Sequence, residues 1–132
     1  MSSTVNDDLV KQAIAAAENS HSPYSKFRVG AALLAEDGSI FCGTNVENAS
    51  YGLTICAERS AFFAAVTAGY RKFTAIAIVA TGATPPAPCG ACRQVMAEFC
   101  SGDFEIVLAT IENPADIQIY TLDNMLPHRF EI

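Results

Sequence analysis

Two short segments of this 132-residue chain carry side chains suited to metal and proton chemistry: residues 56–59 read CAER and residues 88–93 read PCGACR. Cys89 and Cys92 are three apart, a spacing that puts both sulfurs on one face in the first turn of a helix. Pro88 fixes a backbone dihedral just ahead of them, where no donor is needed. Cys56 must reach them from a second element. Three thiolates are a donor set for Zn2+, one ion per subunit. A site with three protein ligands keeps its fourth position for water, the catalytic arrangement, whereas a structural site is closed by a fourth Cys or His. Closure is poorly served here: Cys42 falls in mid-strand, Cys100 at the far end of its helix, and His21 and His128 near the two ends of the chain.

Three thiolates around a divalent ion leave a net negative charge, which opposes activation of water. Two helix N-termini, each worth roughly half a positive charge, and Arg59 donating to the sulfurs would offset it. Glu58 stands two residues from a ligand, placed to exchange protons with a reacting water without binding the metal. A closed zinc knuckle or a redox CxxC is the plainer reading of the cysteines. A structural site has no use for Glu58, and a thioredoxin-like pair calls for a preceding strand and no third thiol. Cys42 and Cys100 read as small buried side chains, and the two histidines as solvated.

These residues must be held by a fold, and the patterning supplies one. Apolar positions recur at helical spacing over 4–19, and 27–35 is apolar and β-prone. Asp37-Gly38 marks a hairpin turn into a strand over 39–45. Residues 55–68 read as a helix, 73–80 as a strand covered on both faces, 89–99 as a helix, and 104–110 and 117–122 as two further strands. The order α β β α β α β β predicts an α/β fold, a three-layer α/β/α sandwich around a mixed five-stranded sheet, as a single domain over 1–132.

Composition narrows the partners. The net charge of −6 is the wrong sign for holding polyanions, and the absence of Trp leaves few platforms for stacking single strands, so neither nucleic acid nor an anionic membrane surface is an expected partner. MSSTVNDD at the start has no basic residue and no following apolar run, which excludes a secretory signal, so the expected compartment is the cytoplasm, where thiols stay reduced.

A Cys or His ligand, a Glu that does not bind metal and a later PCxxC together form the signature of zinc nucleobase deaminases. The chain resembles, over nearly its whole length, the small all-thiolate cytidine deaminases: SPYSKFRVGAAL at 22–33, NVENASYG at 45–52, ICAERSA at 55–61, PCGACRQ at 88–94 and LPHRF at 126–130 match successive motifs in order. Arg28 stands where many relatives have Pro. The resemblance implies that Cys56, Cys89 and Cys92 bind zinc and that Glu58 shuttles protons. It implies that Asn45 and Glu47 bind ribose hydroxyls, that Phe27 packs on the base, and that backbone at Ala57 holds its Watson–Crick edge. It further implies a homotetramer in which Ala49, Tyr51 and Phe130 complete neighbouring pockets. The activity implied is hydrolytic deamination of cytidine and 2′-deoxycytidine with release of ammonia. Another cytosine-bearing small molecule, such as blasticidin S, is the alternative substrate, and a non-catalytic zinc-stabilised module the alternative class.

Overall fold

The computed structural model describes residues 3–132; residues 1 and 2 of the expected 1–132 domain lie outside the described residues. Helix α1 (Ser3–Ala17) leads into strands β1 (Val29–Ala35) and β2 (Ile40–Thr44). Helix α2 (Ala57–Thr67), strand β3 (Phe73–Ala80) and helix α3 (Gly90–Phe99) follow. Strands β4 (Glu105–Thr110) and β5 (Gln118–Thr121) and the short helix α4 (Leu122–Met125) complete the order. The strands form one mixed sheet in the order β2-β1-β3-β4-β5. β3 and β4 are the parallel pair, and the other neighbours run antiparallel. Among the described residues no helix is long and apolar enough to cross a membrane.

Side chains alternate across the sheet with the period of two that strands impose, and this divides the core. Ala32, Ala75, Ala77, Val79, Val107 and Ala109 pack against Leu9, Val10, Ala13 and Ala17 of α1. Leu33, Ile76, Ile78, Ile106 and Leu108 point to the opposite face, against Ala61, Phe62 and Ala65 of α2 and Met96 of α3. The three layers are therefore α1, the sheet, and α2 with α3, as the sequence pattern predicts. Small residues on the first face let α1 sit close, and larger branched ones fill the second.

Two glycines let helix backbone lie close against the sheet. A Cβ at Gly30 would lie 1.9 Å from the Ala13 carbonyl oxygen, and one at Gly43 would lie 2.4 Å from the Ala61 nitrogen and 2.5 Å from the Ala57 oxygen. Gly43 thus lets the first turn of α2 rest on β2. Deeper along the same helix, the Phe62 ring meets Phe73 at 5.3 Å, Phe99 at 6.1 Å and Phe104 at 6.2 Å, tying α2 to the far end of α3.

The structure corrects several sequence expectations. β1 starts at Val29 rather than Phe27, because side chains take up the backbone before it: Asn45 binds the Phe27 carbonyl and Thr81 the Arg28 amide. Cys42 is exposed, not buried: it lies on the edge strand β2, beside Gln12 at 3.9 Å rather than beneath α1. Cys100 is half-buried against the second core, as its reading required. α4 was absent from the sequence reading; a capping box between Thr121 and Asn124 nucleates it.

Gly43→Ala forces backbone atoms of α2 away from the sheet and is expected to cost about 1–3 kcal/mol of folding stability. Urea denaturation of the variant beside the parent measures it, and an unchanged midpoint would show that α2 does not rest on β2.

Candidate active site

Cys56 and Cys89 occupy the N-cap positions of α2 and α3, in extended conformation and without a side-chain capping bond. Cys92 lies three residues on, inside the first turn of α3. The Cys56 and Cys89 sulfurs are 3.9 Å apart and those of Cys89 and Cys92 3.5 Å apart, with all three within 4.8 Å of one another. Sulfurs around a tetrahedral zinc, at Zn–S of about 2.3 Å, stand about 3.8 Å apart, so this donor set fits the ion in softness and in spacing. Arg59 donates from Nη2 to the Cys56 sulfur at 3.4 Å.

The charges at this point are arranged by proximity. The Cys56 thiol is pulled down to about 5, chiefly because Cys92 hydrogen bonds to its thiolate, with Arg59 adding to the effect. Cys92 is pushed up by the same hydrogen bond and by burial. Glu58, in the first turn of α2, is 5% exposed. Burial raises its carboxyl above the usual carboxylate range, and the neighbouring Cys56 charge raises it further.

Glu58, Cys56, Ala57 and Cys89 help line a cavity of about 210 Å³, walled also by Phe27, Val29, Ile55, Ile78, Pro86 and Ala87, with Asn45 and Thr54 as its other polar members. Thr54 also borders a second cavity of about 320 Å³ that holds Tyr24, Ser25, Glu47, Asn48 and Tyr51. An apolar slot with a few polar groups in its lining therefore adjoins a more polar vestibule.

Asn45 and Glu47 are built into this wall. The buried Asn45 accepts at Oδ1 from the Val29 amide at 2.9 Å and from Ser20 Oγ at 2.5 Å, and donates from Nδ2 to the Phe27 carbonyl at 2.7 Å. Those bonds hold Phe27 against the slot in place of strand pairing. Glu47 accepts from the Tyr24 and Ser25 amides at 3.0 and 3.1 Å and from the Ser25 hydroxyl. These donors, Ser25 foremost, keep its carboxyl below the ordinary range. Mutual backbone bonds between Val46 and Ile55 close the loop that carries both residues.

The structure gathers Phe27, Asn45, Cys56, Ala57, Glu58 and Cys89 in one cavity and sets Glu47 and Tyr51 in the next. Ala49 lies exposed on the intervening loop. Phe130 borders neither cavity: it is 70% exposed beside α3, where Gln94 donates to its carbonyl at 3.2 Å. Sequence reasoning missed Tyr24, Ser25, Thr54, Pro86 and Ala87 as wall residues. SPYSK and the proline-rich run before Cys89 were noticed as a motif and as a loop, but their contact with the site depends on tertiary folding.

This chain matches the cytidine and deoxycytidylate deaminase zinc-binding region over residues 3–109. It belongs to that family. A cytidine deaminase of Halalkalibacterium halodurans is 53% identical over 92% of this chain and 91% of its own length, and one of Sporosarcina psychrophila 50% identical over 94% and 90%. The crystal structure of cytidine deaminase from Burkholderia pseudomallei superposes with a TM-score of 0.89 at 48% identity, covering 98% of this chain and 100% of that one. That of Mycobacterium tuberculosis gives 0.81 at 36% identity, with 96% and 97% covered. Membership in a zinc-binding deaminase family agrees with the three-sulfur donor set, and the family's resident metal has a thiolate site to occupy here.

In this deaminase-family site the raised Glu58 carboxyl has a consequence for stability. An unfolded chain ionises it near ~4.3, whereas the folded chain holds the proton to higher pH, so rising pH between the two disfavours the fold. With metal removed, Glu58→Gln is expected to become progressively more stable than the parent as pH climbs above that value, until the folded carboxyl ionises as well. Denaturation across a pH series checks it, and a gap that ignores pH would mean the carboxyl is solvated.

Proposed function

We propose that this chain is a zinc-dependent cytidine deaminase, converting cytidine and 2′-deoxycytidine with water to uridine and 2′-deoxyuridine plus ammonia. The observation that carries the reading is the buried Glu58 beside three clustered sulfurs, with Glu58, Cys56 and Cys89 lining an apolar slot. Cys56, Cys89 and Cys92 hold the zinc, which when bound supplies a water activated near neutral pH. Glu58 takes a proton from the attacking water, gives it to N3 of the ring, and carries the second to the exocyclic amine, which leaves as ammonia. Its carboxyl, raised above the usual carboxylate range by burial, suits it to exchange protons. Arg59 balances thiolate charge through its bond to Cys56.

Phe27 stacks on the pyrimidine and the backbone at Ala57 meets its Watson–Crick edge. Asn45 and Glu47 bind the ribose hydroxyls. Ala49, Tyr51 and Phe130 serve pockets of neighbouring copies in a homotetramer; Tyr51 at 78% and Phe130 at 70% exposure are large apolar groups that gain from such cover. The enzyme acts in the cytoplasm, a setting that suits five free cysteines.

Purified protein with one zinc per chain is expected to release ammonia from cytidine and deoxycytidine, and not from cytidine monophosphate or blasticidin S. Glu58→Gln should keep its zinc while turnover falls by about 10²- to 10⁴-fold, the usual contribution of a positioned proton carrier. Zinc-replete protein inert toward the whole panel would refute the activity, and full turnover in the Gln variant would remove Glu58 from the reaction.

A further inference from the structure

The turn that carries Cys89 is pinned by a residue outside the cavity. Arg93 follows Cys92 in α3, and its guanidinium spans two chain segments: Nε donates to the Pro88 carbonyl and Nη1 to the Met125 carbonyl, each at 2.7 Å. Its backbone amide donates to the Cys89 carbonyl at 3.0 Å. The side chain therefore holds Pro88, the residue next to Cys89, while the amide bond is the first-turn bond of α3 that any residue at this position makes.

The corner needs such an anchor. Residues 81–88 form neither helix nor strand, so the sheet does not set where Pro88 sits, yet Pro88 is buried. The Met125 carbonyl ends α4, where the last carbonyls of a helix lack intrahelical partners. A planar guanidinium can direct two N–H groups at two such acceptors in fixed geometry; a lysine ammonium of the same charge cannot reproduce that fork. α4 is itself capped at Thr121 and hydrogen-bonded into the end of the sheet through the Leu122 amide and the Phe104 carbonyl, so it is a fixed point against which the corner can be held.

We propose that Arg93 is a positioning residue: it locks the Cys89 corner to α4 and thereby sets the spacing of the three sulfurs and the grip of the site on its metal. The inference rests on the reading of Cys56, Cys89 and Cys92 as zinc ligands. It assigns Arg93 no contact with substrate. Loss of the fork frees the corner, and Cys89 moves relative to Cys56, which is anchored separately on α2.

The test uses zinc-loaded parent, Arg93→Lys and Arg93→Gln enzymes and follows zinc transfer to a chromophoric chelator, well below the melting temperature of each. Both variants are expected to release zinc about 10-fold faster or more, the scale typical when a group supporting a metal ligand is removed. Their cobalt-substituted forms should show displaced thiolate-to-metal bands. Parent-like release and spectra in both variants would overturn the proposal. So would parent-like behaviour in Arg93→Lys alone, which would make the charge sufficient, or failure of both variants to fold, which would make Arg93 a residue of the fold. A parent that takes up no zinc would instead refute the ligand assignment beneath it.

Discussion

Four groups that become negative on losing a proton, three thiols and the Glu58 carboxyl, meet at one end of the sheet, and their mutual repulsion is the constraint around which the site is arranged. Two unit charges at the 3.9 Å separation of the Cys56 and Cys89 sulfurs repel by about 4 kcal/mol at the effective dielectric of a protein surface. Without a cation the cluster must keep some of its protons. The directions of its shifts express this: Cys56 is drawn down to about 5 while Cys92 and Glu58 are pushed up. Arg59 and the two helix N-termini supply part of the missing positive charge, and a divalent ion supplies the rest.

That arrangement requires α2 and α3 to begin side by side, and the packing enforces it from both ends. At the far end the Phe62, Phe73, Phe99 and Phe104 rings interlock, giving edge and stacked contacts that resist sliding of one helix along the other. At the near end Gly43 lets α2 lie directly on β2. A helix starting one residue earlier or later would rotate its first turn by about 100° and swing Cys56 out of the cluster. The register of the aromatic core and the position of a sulfur are thus one geometric fact.

The parts of this organisation legible in sequence are those encoded locally. The three layers follow from apolar periods of two and 3.6, and the Cys89–Cys92 pair from a spacing that fits a helix start. Element ends were less legible, because long-range bonds decide them. β1 begins at Val29, where the Asn45 side chain rather than a strand partner takes up the preceding backbone. Cys42 is apolar in pattern yet exposed, since it lies on an edge strand with Gln12 of α1 beside its sulfur. The bond from Arg93 to Met125 joins residues 32 apart, and no periodicity signals it. Glu58 could be singled out beside a ligand from sequence, whereas its burial, the source of its raised carboxyl, required the fold.

The two carboxyls of the cavities show how environment divides labour between identical groups. Glu58 is buried beside the Cys56 thiolate and holds its proton above the usual range. Glu47 accepts three hydrogen bonds from the turn at Tyr24 and Ser25 and stays ionised to lower pH than an ordinary carboxylate. When the environments of two acids push their ionisation apart, the raised one is suited to exchange protons and the lowered one to act as a standing acceptor. A standing carboxylate therefore puts a fixed negative charge in the vestibule. The same turn that fixes the charge of Glu47 also shapes the wall beside it, so one set of hydrogen bonds sets both the ionisation of the carboxyl and the form of the vestibule.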